Sequence, residues 1–471
     1  MSEFFDLTVI GGGPGGYVAA LRAAQLGMKV ALVEERHLGG ICLNWGCIPT
    51  KALLRSAEIY HLMGEAEAFG VQVGERGFDL QKMVQRSRAV ADRMGKGVQH
   101  LLKKAGVTVL EGRGRLAGQE GEVHRVAVTE GSGKESTPIR TPHVILATGA
   151  RGRQLPGVDY TSKAVWTARE AMTPDIMPQK LLVVGSGAIG VEFASFYRDL
   201  GAEVTIIEAA ERIMPAEDAE ISQAARKAFE KRGMAIHTDS RLEKLEVLEG
   251  GKGVRAHVNT PQGPATFEAD RVISAAGVVG NSENLGLDGT AVKVERSFVE
   301  IDDFCRTGER GIYAIGDLAG PPCLAHKASH EGIICVEKIA GRLPQPLHPL
   351  NIPGCTYARP QVASVGMSEA AARAAGHEVR VGRFPFMANG KAVAMGEPDG
   401  MTKTVFDAKT GELLGAHMIG AEVTEMIQGF TIARTSELTE AELVETVFPH
   451  PTISETMHEA TLAAHEGALH I

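Results

Sequence analysis

The chain contains little cysteine and no long apolar run. Only six cysteines occur among 471 residues, which is far too few for a secreted scaffold held by disulfides and predicts a reducing environment. No stretch approaches the roughly 18 consecutive apolar residues that a membrane helix requires. The first residues, "MSEFFDLTVI", run into a strand-like segment without the pattern of an export signal. We therefore expect a cytoplasmic protein with no membrane partner.

An excess of positive charge is also lacking. Lys and Arg number 49 against 58 Asp and Glu, which gives a formal net charge of −9, and no run of basic residues stands out along the chain. This balance argues against a nucleic-acid partner and favours a small or neutral ligand. The length predicts roughly two to four domains rather than one core.

A unit of strand, glycine turn, helix and strand occurs twice. The first copy is "DLTVIGGGPGGYVAALRAAQLGMKVALVEE" and the second is "KLLVVGSGAIGVEFASFYRDLGAEVTIIEA". The first turn glycine and the closing glutamate are 23 positions apart in both copies, as Gly11 and Glu34 and as Gly185 and Glu208. Equal spacing predicts two βαβ units with one geometry.

Both turns fit the dinucleotide-binding pattern G-x-G-x-x-G. The glycines are Gly11, Gly13 and Gly16 in the first copy, and Gly185, Gly187 and Gly190 in the second. One such pattern is weak evidence, because a glycine turn can simply connect a strand to a helix. Two copies, each with an acidic residue about 20 positions further on, predict two dinucleotide sites. One dinucleotide would stay bound as an electron carrier, and the other would exchange with solution.

The acidic residue of each unit is expected to accept hydrogen bonds from ribose hydroxyls. Glu208 would accept from the free ribose hydroxyl of NAD+ but repel the 2′-phosphate of NADP+. The second site is therefore predicted to prefer NAD+.

The rest of the chain predicts an α/β fold with two Rossmann-like dinucleotide-binding domains and an α+β C-terminal domain. "FDLQKMVQRSRAVADRMGKGVQHLLKKAG" is a helical stretch, while "HVILATGA", "RVISAAG" and "GIYAIGDLAG" are strand-like, the last ending at Asp317. The proline-rich "LPQPLHPLNIPG" marks a boundary. We predict a first nucleotide-binding segment at 1–150, a second nucleotide domain at 151–279, a return to the first at 280–348 and a C-terminal domain at 349–471.

Two of the cysteines lie close together in "GGICLNWGCIPTKAL", as Cys42 and Cys47. A plant-type iron–sulfur loop would need a third cysteine at Thr50, and a zinc site needs four ligands, whereas the other cysteines are scattered singly. We therefore expect no metal. A structural disulfide across so short a loop would constrain the unfolded chain little. The favoured interpretation is a redox pair that opens and closes during turnover.

The residues around the pair support this interpretation. Gly46 and Pro49 predict an irregular turn that leads into the helix "TKALLRSAEIYHLM". Bridging Cys42 and Cys47 requires irregular backbone, and a strained disulfide is easier to reduce. The dipole of the following helix stabilises a nearby thiolate, which predicts a lowered thiol pKa.

With both glycine motifs, the cysteine pair and "YAIGD" in this order, the chain resembles the flavoprotein disulfide reductases, or pyridine nucleotide-disulfide oxidoreductases, over its full length. "GGICLNWGCIPTKAL" is most similar to the branch that oxidises dihydrolipoamide with NAD+. The resemblance implies non-covalent FAD on the first unit, NAD+ on the second, and a homodimer formed through the C-terminal domain. It also implies partners that carry lipoyl groups, namely the lipoyl domains of 2-oxoacid dehydrogenase complexes or the glycine cleavage H protein.

The resemblance also implies roles for individual residues. Cys42 would react with substrate and Cys47 would face the flavin. His450 would be the catalytic base, oriented by Glu455 and serving the active site of the other subunit. The implied FAD contacts are Gly11, Gly13, Gly16, Glu34, Lys51, Gly114, Asp317 and Ala325. The implied NAD contacts are Gly185, Gly187, Gly190, Glu192, Glu208 and Gly277, with Glu192 also the partner of Lys51.

The chain departs from the family pattern in three places. Trp45 stands where a small aliphatic residue is usual, Phe448 replaces a common histidine, and "AAGVVGNSENLGLDG" differs from the usual segment near the flavin. The alternative readings are a glutathione- or mercuric-reductase-like enzyme and a non-catalytic flavoprotein scaffold. The lack of cysteine after Cys355 disfavours the mercuric reductases, and Glu208 disfavours the glutathione reductases.

Overall fold

A computed structural model describes residues 3–135 and 138–471 of the chain. These residues divide into two compact units. The first unit is formed by 3–52, 80–153 and 277–347, and the second by 53–79, 154–276 and 348–471. Among the helices of the described residues, none is both long and apolar enough to span a membrane.

The helices and strands follow one another along four stretches of the chain. Residues 3–153 form β1 (Leu7–Ile10), α1 (Pro14–Gln25), β2 (Val30–Glu34), α2 (Gly40–Trp45), α3 (Cys47–Glu65), α4 (Leu80–Lys104), β3 (Thr108–Glu111), β4 (Arg113–Glu120), β5 (Val123–Thr129), β6 (Ile139–Thr141), β7 (Val144–Leu146) and β8 (Ala150–Gly152). Residues 154–276 form β9 (Val165–Trp166), α5 (Ala168–Met172), β10 (Lys180–Val184), α6 (Ala188–Asp199), β11 (Glu203–Ile207), α7 (Ala219–Lys231), β12 (Ala235–His237), β13 (Arg241–Val247), β14 (Val254–Thr260), β15 (Gly263–Ala269) and β16 (Arg271–Ser274).

Residues 277–347 form β17 (Val278–Gly280), β18 (Val294–Glu295), β19 (Phe298–Val299), β20 (Ile312–Ala314) and α8 (Ala325–Ile339). Residues 348–471 form β21 (Gly354–Thr356), β22 (Gln361–Gly366), α9 (Glu369–Ala374), β23 (Val379–Pro385), α10 (Gly390–Ala394), β24 (Met401–Asp407), β25 (Leu413–Gly420), α11 (Val423–Thr435), α12 (Glu440–Glu445) and α13 (Glu455–His465). Short 3₁₀ turns lie at Ala66–Phe69, Glu249–Gly251, Gly316–Ala319, Pro349–Asn351 and Phe386–Ala388.

A five-stranded parallel sheet lies at the centre of the first unit. Its order is β20-β7-β1-β2-β3. All four residues of β1 are buried, as expected for a parallel strand covered on both faces. Small buried residues on α1, Ala19, Ala20 and Ala23, let this helix lie close to the sheet. The carboxyl end of β1 leads directly into the first glycine turn, where ligands of such sheets bind.

The second unit contains a sheet of the same kind, in the order β12-β11-β10-β16-β9. β10 pairs with β11 and β16 just as β1 pairs with β2 and β7, and α1 and α6 each have 12 residues. The prediction of two βαβ units with one geometry is therefore confirmed.

The C-terminal stretch forms an antiparallel sheet, β21-β22-β25-β24-β23, with five helices along the same stretch. Phe386, Phe406 and Phe430 are fully buried in its core. The predicted α/β fold class with an α+β C-terminal domain is confirmed. The exact domain limits given above stay a prediction.

One predicted element is shorter than expected. β20 ends at Ala314, and Asp317 lies on the 3₁₀ turn Gly316–Ala319 instead of at the end of the strand. The reason is Gly316, whose φ of +71° turns the chain away from extended backbone.

A buried lysine connects β24 to α7 and α9 in the second unit. The Lys403 ammonium lies 2.9 Å from a carboxylate oxygen of Asp218, 2.9 Å from one of Glu220 and 3.0 Å from one of Glu369. Hydrogen bonds from Arg383 and then Lys403 outweigh burial and lower the pKa of Glu220 to about 2. Lys403 therefore stabilises the ionised form of the three carboxylates around it.

Candidate active site

The two cysteines of the predicted redox pair lie on either side of a break between two helices. α2 ends at Trp45, Gly46 leaves the helical conformation with φ −151° and ψ −119°, and α3 begins at Cys47. The predicted irregular turn is confirmed, although α3 begins three residues before the predicted helix. Cys42 is partly buried and Cys47 is exposed, and their side chains are hydrogen-bonded.

The environment of Cys42 disfavours its ionisation. The hydrogen bond with Cys47, followed by burial, raises the pKa of Cys42 well above its ordinary value, while the charge of Lys51 opposes the rise. The expected lowering of the thiol pKa is therefore wrong for Cys42, because the hydrogen bond with Cys47 and burial outweigh the helix dipole. A negative charge on Cys47 also disfavours ionisation of Cys42. Cys47 is the first residue of α3, at the positive end of the helix dipole.

An arginine from α4 holds the segment between the two cysteines. The Arg88 guanidinium lies 4.2 Å from the centre of the Trp45 ring and donates a hydrogen bond to the carbonyl of Asn44. The Asn44 side-chain amide donates to the carbonyls of Leu38 and Gly40, at 2.9 Å each. Trp45, which departs from the family pattern, is thus part of a packed cation–π contact. Sequence reasoning did not identify Arg88.

Tyr17 is a second residue that sequence reasoning missed. It follows the first glycine turn on α1, and burial followed by the charge of Cys42 raises its pKa. Tyr17 and Cys42 also pack against the same buried core. The signal available in the sequence was an aromatic residue directly after the third turn glycine, in a helix otherwise rich in alanine.

The glycines of the first turn have three different surroundings. Gly11 has φ +107°, and a Cβ there would lie 2.2 Å from the carbonyl oxygen of Ala147; a Cβ on Gly16 would lie 1.8 Å from the carbonyl oxygen of Gly11. A Cβ on Gly13 would meet nothing closer than 3.9 Å. The outer glycines are needed for close packing, and the middle one faces open space. α1 begins after Gly13 without a side-chain cap, so N–H groups of its first turn can bind a phosphate.

The second turn repeats this arrangement. Gly185 has φ +102°, and a Cβ there would lie 2.4 Å from the carbonyl oxygen of Ala275; a Cβ on Gly190 would lie 2.0 Å from the carbonyl oxygen of Gly185. Around Gly187 no atom of the described residues lies within 4 Å of such a Cβ, and α6 begins there without a side-chain cap. Both turns therefore have the form that a pyrophosphate requires.

Glu34 and Glu208 accept hydrogen bonds from their own glycine turns and can still accept one more. Glu34 accepts from the N–H of Gly12 at 2.7 Å, and its other oxygen accepts from two further backbone N–H groups. Glu208 accepts from the N–H and hydroxyl of Ser186 with one oxygen and from the N–H of Ala210 with the other. A carboxylate has about four lone-pair positions, so each retains one for a ribose hydroxyl.

The remaining predicted FAD contacts lie in the first unit. A Cβ on Gly114 would lie 2.9 Å from the Ile10 side chain, so only its backbone can face a ligand. Burial raises the pKa of Asp317. Ala325 is the first residue of α8, which also begins without a side-chain cap. Lys51 lies one helical turn after Cys47 on α3.

Glu192 and Gly277 are the remaining predicted NAD contacts. Glu192 is buried on α6, and its carboxylate accepts from the N–H of Tyr357 at 2.9 Å. Gly277 has φ +92° with open space around it. The pairing of Lys51 with Glu192 stays a prediction.

His450 and Glu455 form a hydrogen-bonded dyad. His450 Nδ1 lies 2.9 Å from a Glu455 oxygen, and the other Glu455 oxygen accepts from the N–H of Thr452 at 2.9 Å. Burial opposes ionisation, but Thr452 and His450 together hold the pKa of Glu455 below its ordinary value. An ionised Glu455 can only accept, so Nδ1 must carry a proton, and Nε2 of the neutral ring is the basic nitrogen. The His450 side chain is 80% exposed.

The other two departures from the family pattern also have structural explanations. Phe448 stacks on His458 with ring centres 5.4 Å apart. In "AAGVVGNSENLGLDG", Val278–Gly280 forms β17, and the Asn281 side chain donates to the Thr148 carbonyl at 2.9 Å. Both segments are therefore well packed.

The residues present fit FAD at the first turn and NAD+ at the second, because each turn combines an open middle glycine, an uncapped helix and a carboxylate with spare acceptor capacity. Within 3–135 and 138–471, no group of three His, Cys, Asp or Glu side chains is arranged to hold a metal ion.

Comparison with known proteins identifies the family. The model described as pyridine nucleotide-disulphide oxidoreductase matches residues 5–332, and that of the corresponding dimerisation domain matches residues 352–461. Proteins named dihydrolipoyl dehydrogenase from Zymomonas mobilis and Rhizobium etli are 57% and 52% identical, each over 100% of both chains. Among solved structures, LpdA from Mycobacterium tuberculosis has a TM-score of 0.89 at 27% identity and covers 98% of this chain and 99% of its own.

A second solved structure, the HOCl-induced flavoprotein disulfide reductase RclA from Escherichia coli, has a TM-score of 0.85 at 26% identity, with 97% of this chain and 99% of that chain covered. These matches confirm the resemblance drawn from the motifs. The chain belongs to the pyridine nucleotide-disulphide oxidoreductase family.

Proposed function

We propose that the chain is a dihydrolipoyl dehydrogenase, which oxidises protein-bound dihydrolipoamide to lipoamide and reduces NAD+ to NADH. The observation that carries the proposal is the hydrogen-bonded Cys42–Cys47 pair in a chain 57% identical, over its full length, to a protein of that name. FAD, when bound, supplies the two-electron redox chemistry between the thiol pair and the nicotinamide.

The reaction at the cysteines begins from their disulfide. A thiolate of dihydrolipoamide attacks the Cys42 sulfur, the Cys42–Cys47 bond breaks, and Cys47 leaves as a thiolate. The second substrate thiol then attacks the substrate sulfur of the mixed disulfide, which releases lipoamide and leaves Cys42 reduced. The substrate loses two electrons and two protons, and both electrons now reside on the cysteine pair.

The positions of the two thiols suit these steps. Cys47 leaves as a thiolate at the first residue of α3, where the helix dipole stabilises negative charge, whereas the hydrogen bond with Cys47 and burial raise the pKa of Cys42. His450 Nε2 is the proposed base for the substrate thiol, since ionised Glu455 keeps the proton on Nδ1 and stabilises the imidazolium.

The chain's own residues also support NAD+ as the second dinucleotide. Glu208 directly follows β11 and has one acceptor position free, which suits a ribose hydroxyl and would repel a 2′-phosphate. A preference for NADP+ in steady-state kinetics would contradict this assignment.

The dimerisation-domain match supports a homodimer. We further propose that the His450–Glu455 dyad acts on the cysteine pair of the other subunit, that the substrate is carried by lipoyl domains of 2-oxoacid dehydrogenase complexes or by the glycine cleavage H protein, and that the enzyme works in the cytoplasm.

An absorbance assay tests the function. Purified protein loaded with FAD is mixed with dihydrolipoamide and NAD+, and separately with NADPH and oxidised glutathione, while nicotinamide absorbance is followed. We expect NADH formation in the first mixture and no oxidation of NADPH in the second. We also expect NADH formation to be lost in both Cys42→Ser and Cys47→Ser. Unchanged activity in either variant would exclude the proposed chemistry.

A further inference from the structure

The α4 helix has a charge opposite to that of the rest of the chain. Between Leu80 and Lys104 it carries seven Lys and Arg residues but a single acidic residue, Asp92, whereas the whole chain has net charge −9. The seven basic residues are Lys82, Arg86, Arg88, Arg93, Lys96, Lys103 and Lys104. They do not form a run in the sequence, because apolar and neutral residues separate most of them.

Helical geometry gathers these residues on one side. With 3.6 residues per turn, all of them except Arg88, together with His100, fall within an arc of about 100° along about 33 Å of helix. We call this face the basic stripe; its members are Lys82, Arg86, Arg93, Lys96, His100, Lys103 and Lys104, all exposed. The opposite side of α4 is buried through Val84, Ala91, Val98 and Leu102.

Part of the basic stripe has no acidic partner among the described residues. Lys96 lies 3.6 Å from Asp92, but Arg93, Lys103 and Lys104 make no ion pair with any acidic residue in 3–135 or 138–471. The amphipathic helix α7 is different, because its face mixes both signs and includes an Arg226–Glu230 pair at 2.9 Å. Solubility alone does not require an exposed helix face to carry charges of a single sign, as the basic stripe does.

The helix that carries the stripe also supports the redox pair. Arg88 donates to the Asn44 carbonyl on α2, the helix of Cys42, and Arg86 donates at 3.0 Å to the Ala52 carbonyl on α3, the helix of Cys47. A partner bound along α4 is therefore held beside the helices that carry both reactive thiols.

We propose that the basic stripe is the docking surface for a protein partner with an acidic surface, and that this partner carries the dithiol that reacts with Cys42. The proposal rests on the proposed function. Charge complementarity favours an acidic protein as the partner of this positively charged face. An anionic membrane or a nucleic acid is also negatively charged, but neither supplies a dithiol to the neighbouring cysteines. The stripe would accelerate encounter and orient the partner, effects that salt screens.

Variants in which neutral glutamine replaces Lys or Arg test the proposal on the FAD-loaded enzyme. The stripe variant carries Arg93→Gln, Lys103→Gln and Lys104→Gln; the matched control loses three exposed positive charges elsewhere, through Lys293→Gln, Arg342→Gln and Lys409→Gln. The substrates are free dihydrolipoamide and a purified, net-acidic lipoyl domain in its reduced form. NADH formation is measured at low and at physiological ionic strength.

We expect the stripe variant to lose about tenfold in kcat/KM for the acidic lipoyl domain at low ionic strength, with a smaller loss at higher salt. The stripe variant should keep the wild-type kcat/KM for free dihydrolipoamide. The control variant should keep the wild-type kcat/KM for both the lipoyl domain and free dihydrolipoamide. Equal losses in the stripe and control variants, or no loss in either, would overturn the proposal. So would stripe-dependent binding to anionic vesicles or to duplex DNA together with unchanged turnover of the lipoyl domain. If the wild type does not oxidise free dihydrolipoamide, the proposed function itself fails.

Discussion

At the residue scale, the middle and last glycines of each dinucleotide turn have separable roles. A Cβ at Gly187 meets open space, whereas one at Gly190 would lie 2.0 Å from the Gly185 carbonyl oxygen. We expect Gly187→Ala to fold normally but to raise the KM for NAD+ by about tenfold, because the methyl group occupies the approach of the pyrophosphate. Steady-state kinetics with varied NAD+ measures this effect.

The matched variant Gly190→Ala should instead destabilise the second unit by about 1–3 kcal/mol, because overpacking displaces α6 from β10. Chemical denaturation with both variants distinguishes the two effects. Equal loss of stability in Gly187→Ala and Gly190→Ala would contradict the distinction between an open and a packed glycine.

The tautomer of His450 is also set by a single residue. In Glu455→Gln the side chain is no longer a charged acceptor, so it neither fixes the proton on Nδ1 nor stabilises the imidazolium. We expect a loss of about a hundredfold in kcat with dihydrolipoamide at neutral pH, with little change in the free energy of unfolding. The control is Glu445→Gln, which changes an exposed glutamate on α12. If Glu455→Gln kept the wild-type kcat, Glu455 would have no part in the mechanism.

At the scale of secondary-structure elements, α4 restrains the break between α2 and α3. Arg88→Met removes the charged hydrogen bond to Asn44 while keeping an apolar contact with Trp45. Losing such a bond costs about 1.5 kcal/mol or more, so the amides of 40–50 should exchange about tenfold faster in hydrogen-exchange mass spectrometry. Peptides from α13 provide the internal control. Unchanged exchange at 40–50 would mean that the contact does not restrain the break.

A second prediction at this scale concerns the contribution of the buried Lys403 to stability. Lys403→Met leaves Asp218, only 2% exposed, without its cation, and should lower the free energy of unfolding at pH 7 by about 3–5 kcal/mol. Arg383→Met, at a side chain 42% exposed, should cost about 1 kcal/mol or less. Urea unfolding of both variants measures the difference.

The effect of Lys403→Met should depend on pH. The pKa of Glu220 is depressed from 4.5 to about 2 in the folded protein, so its contribution is present above pH 4.5 and is lost as the pH falls toward 2. The difference between wild type and Lys403→Met should shrink over the same range. A difference that stays constant from pH 7 to pH 3 would show that packing, and not charge, makes Lys403 important.

Local patterns predict some elements better than others. The βαβ repeat was predictable because the glycine spacing and the buried strands are encoded within about 30 consecutive residues, and α4 because its apolar residues recur with helical period. The Arg88–Trp45 contact joins positions 43 residues apart, so it does not follow from linear order. The basic stripe does follow from the sequence once the helix is assigned, because its residues fall on one face at 3.6 residues per turn. The early turn at Gly316 depended on a backbone angle that a glycine permits but does not require.

At the scale of the whole molecule, the proposed mechanism distributes one active site over two chains. His450 is 80% exposed in the single chain, which leaves Nε2 available to a neighbouring subunit. If the dyad serves the partner's cysteines, a dimer needs Cys42 from one chain and His450 from the other at each of its two sites.

A heterodimer of two inactive chains tests this arrangement. Cys42→Ser and His450→Ala chains, each with a different affinity tag, are co-expressed, and the mixed dimer is isolated by two successive affinity steps. One of its two sites then combines an intact cysteine pair with an intact dyad, so the heterodimer should recover about half of the wild-type activity, while both parent homodimers stay nearly inactive. If the dyad instead acted within its own chain, every site in the heterodimer would carry one defect, and the preparation would be as inactive as its parents.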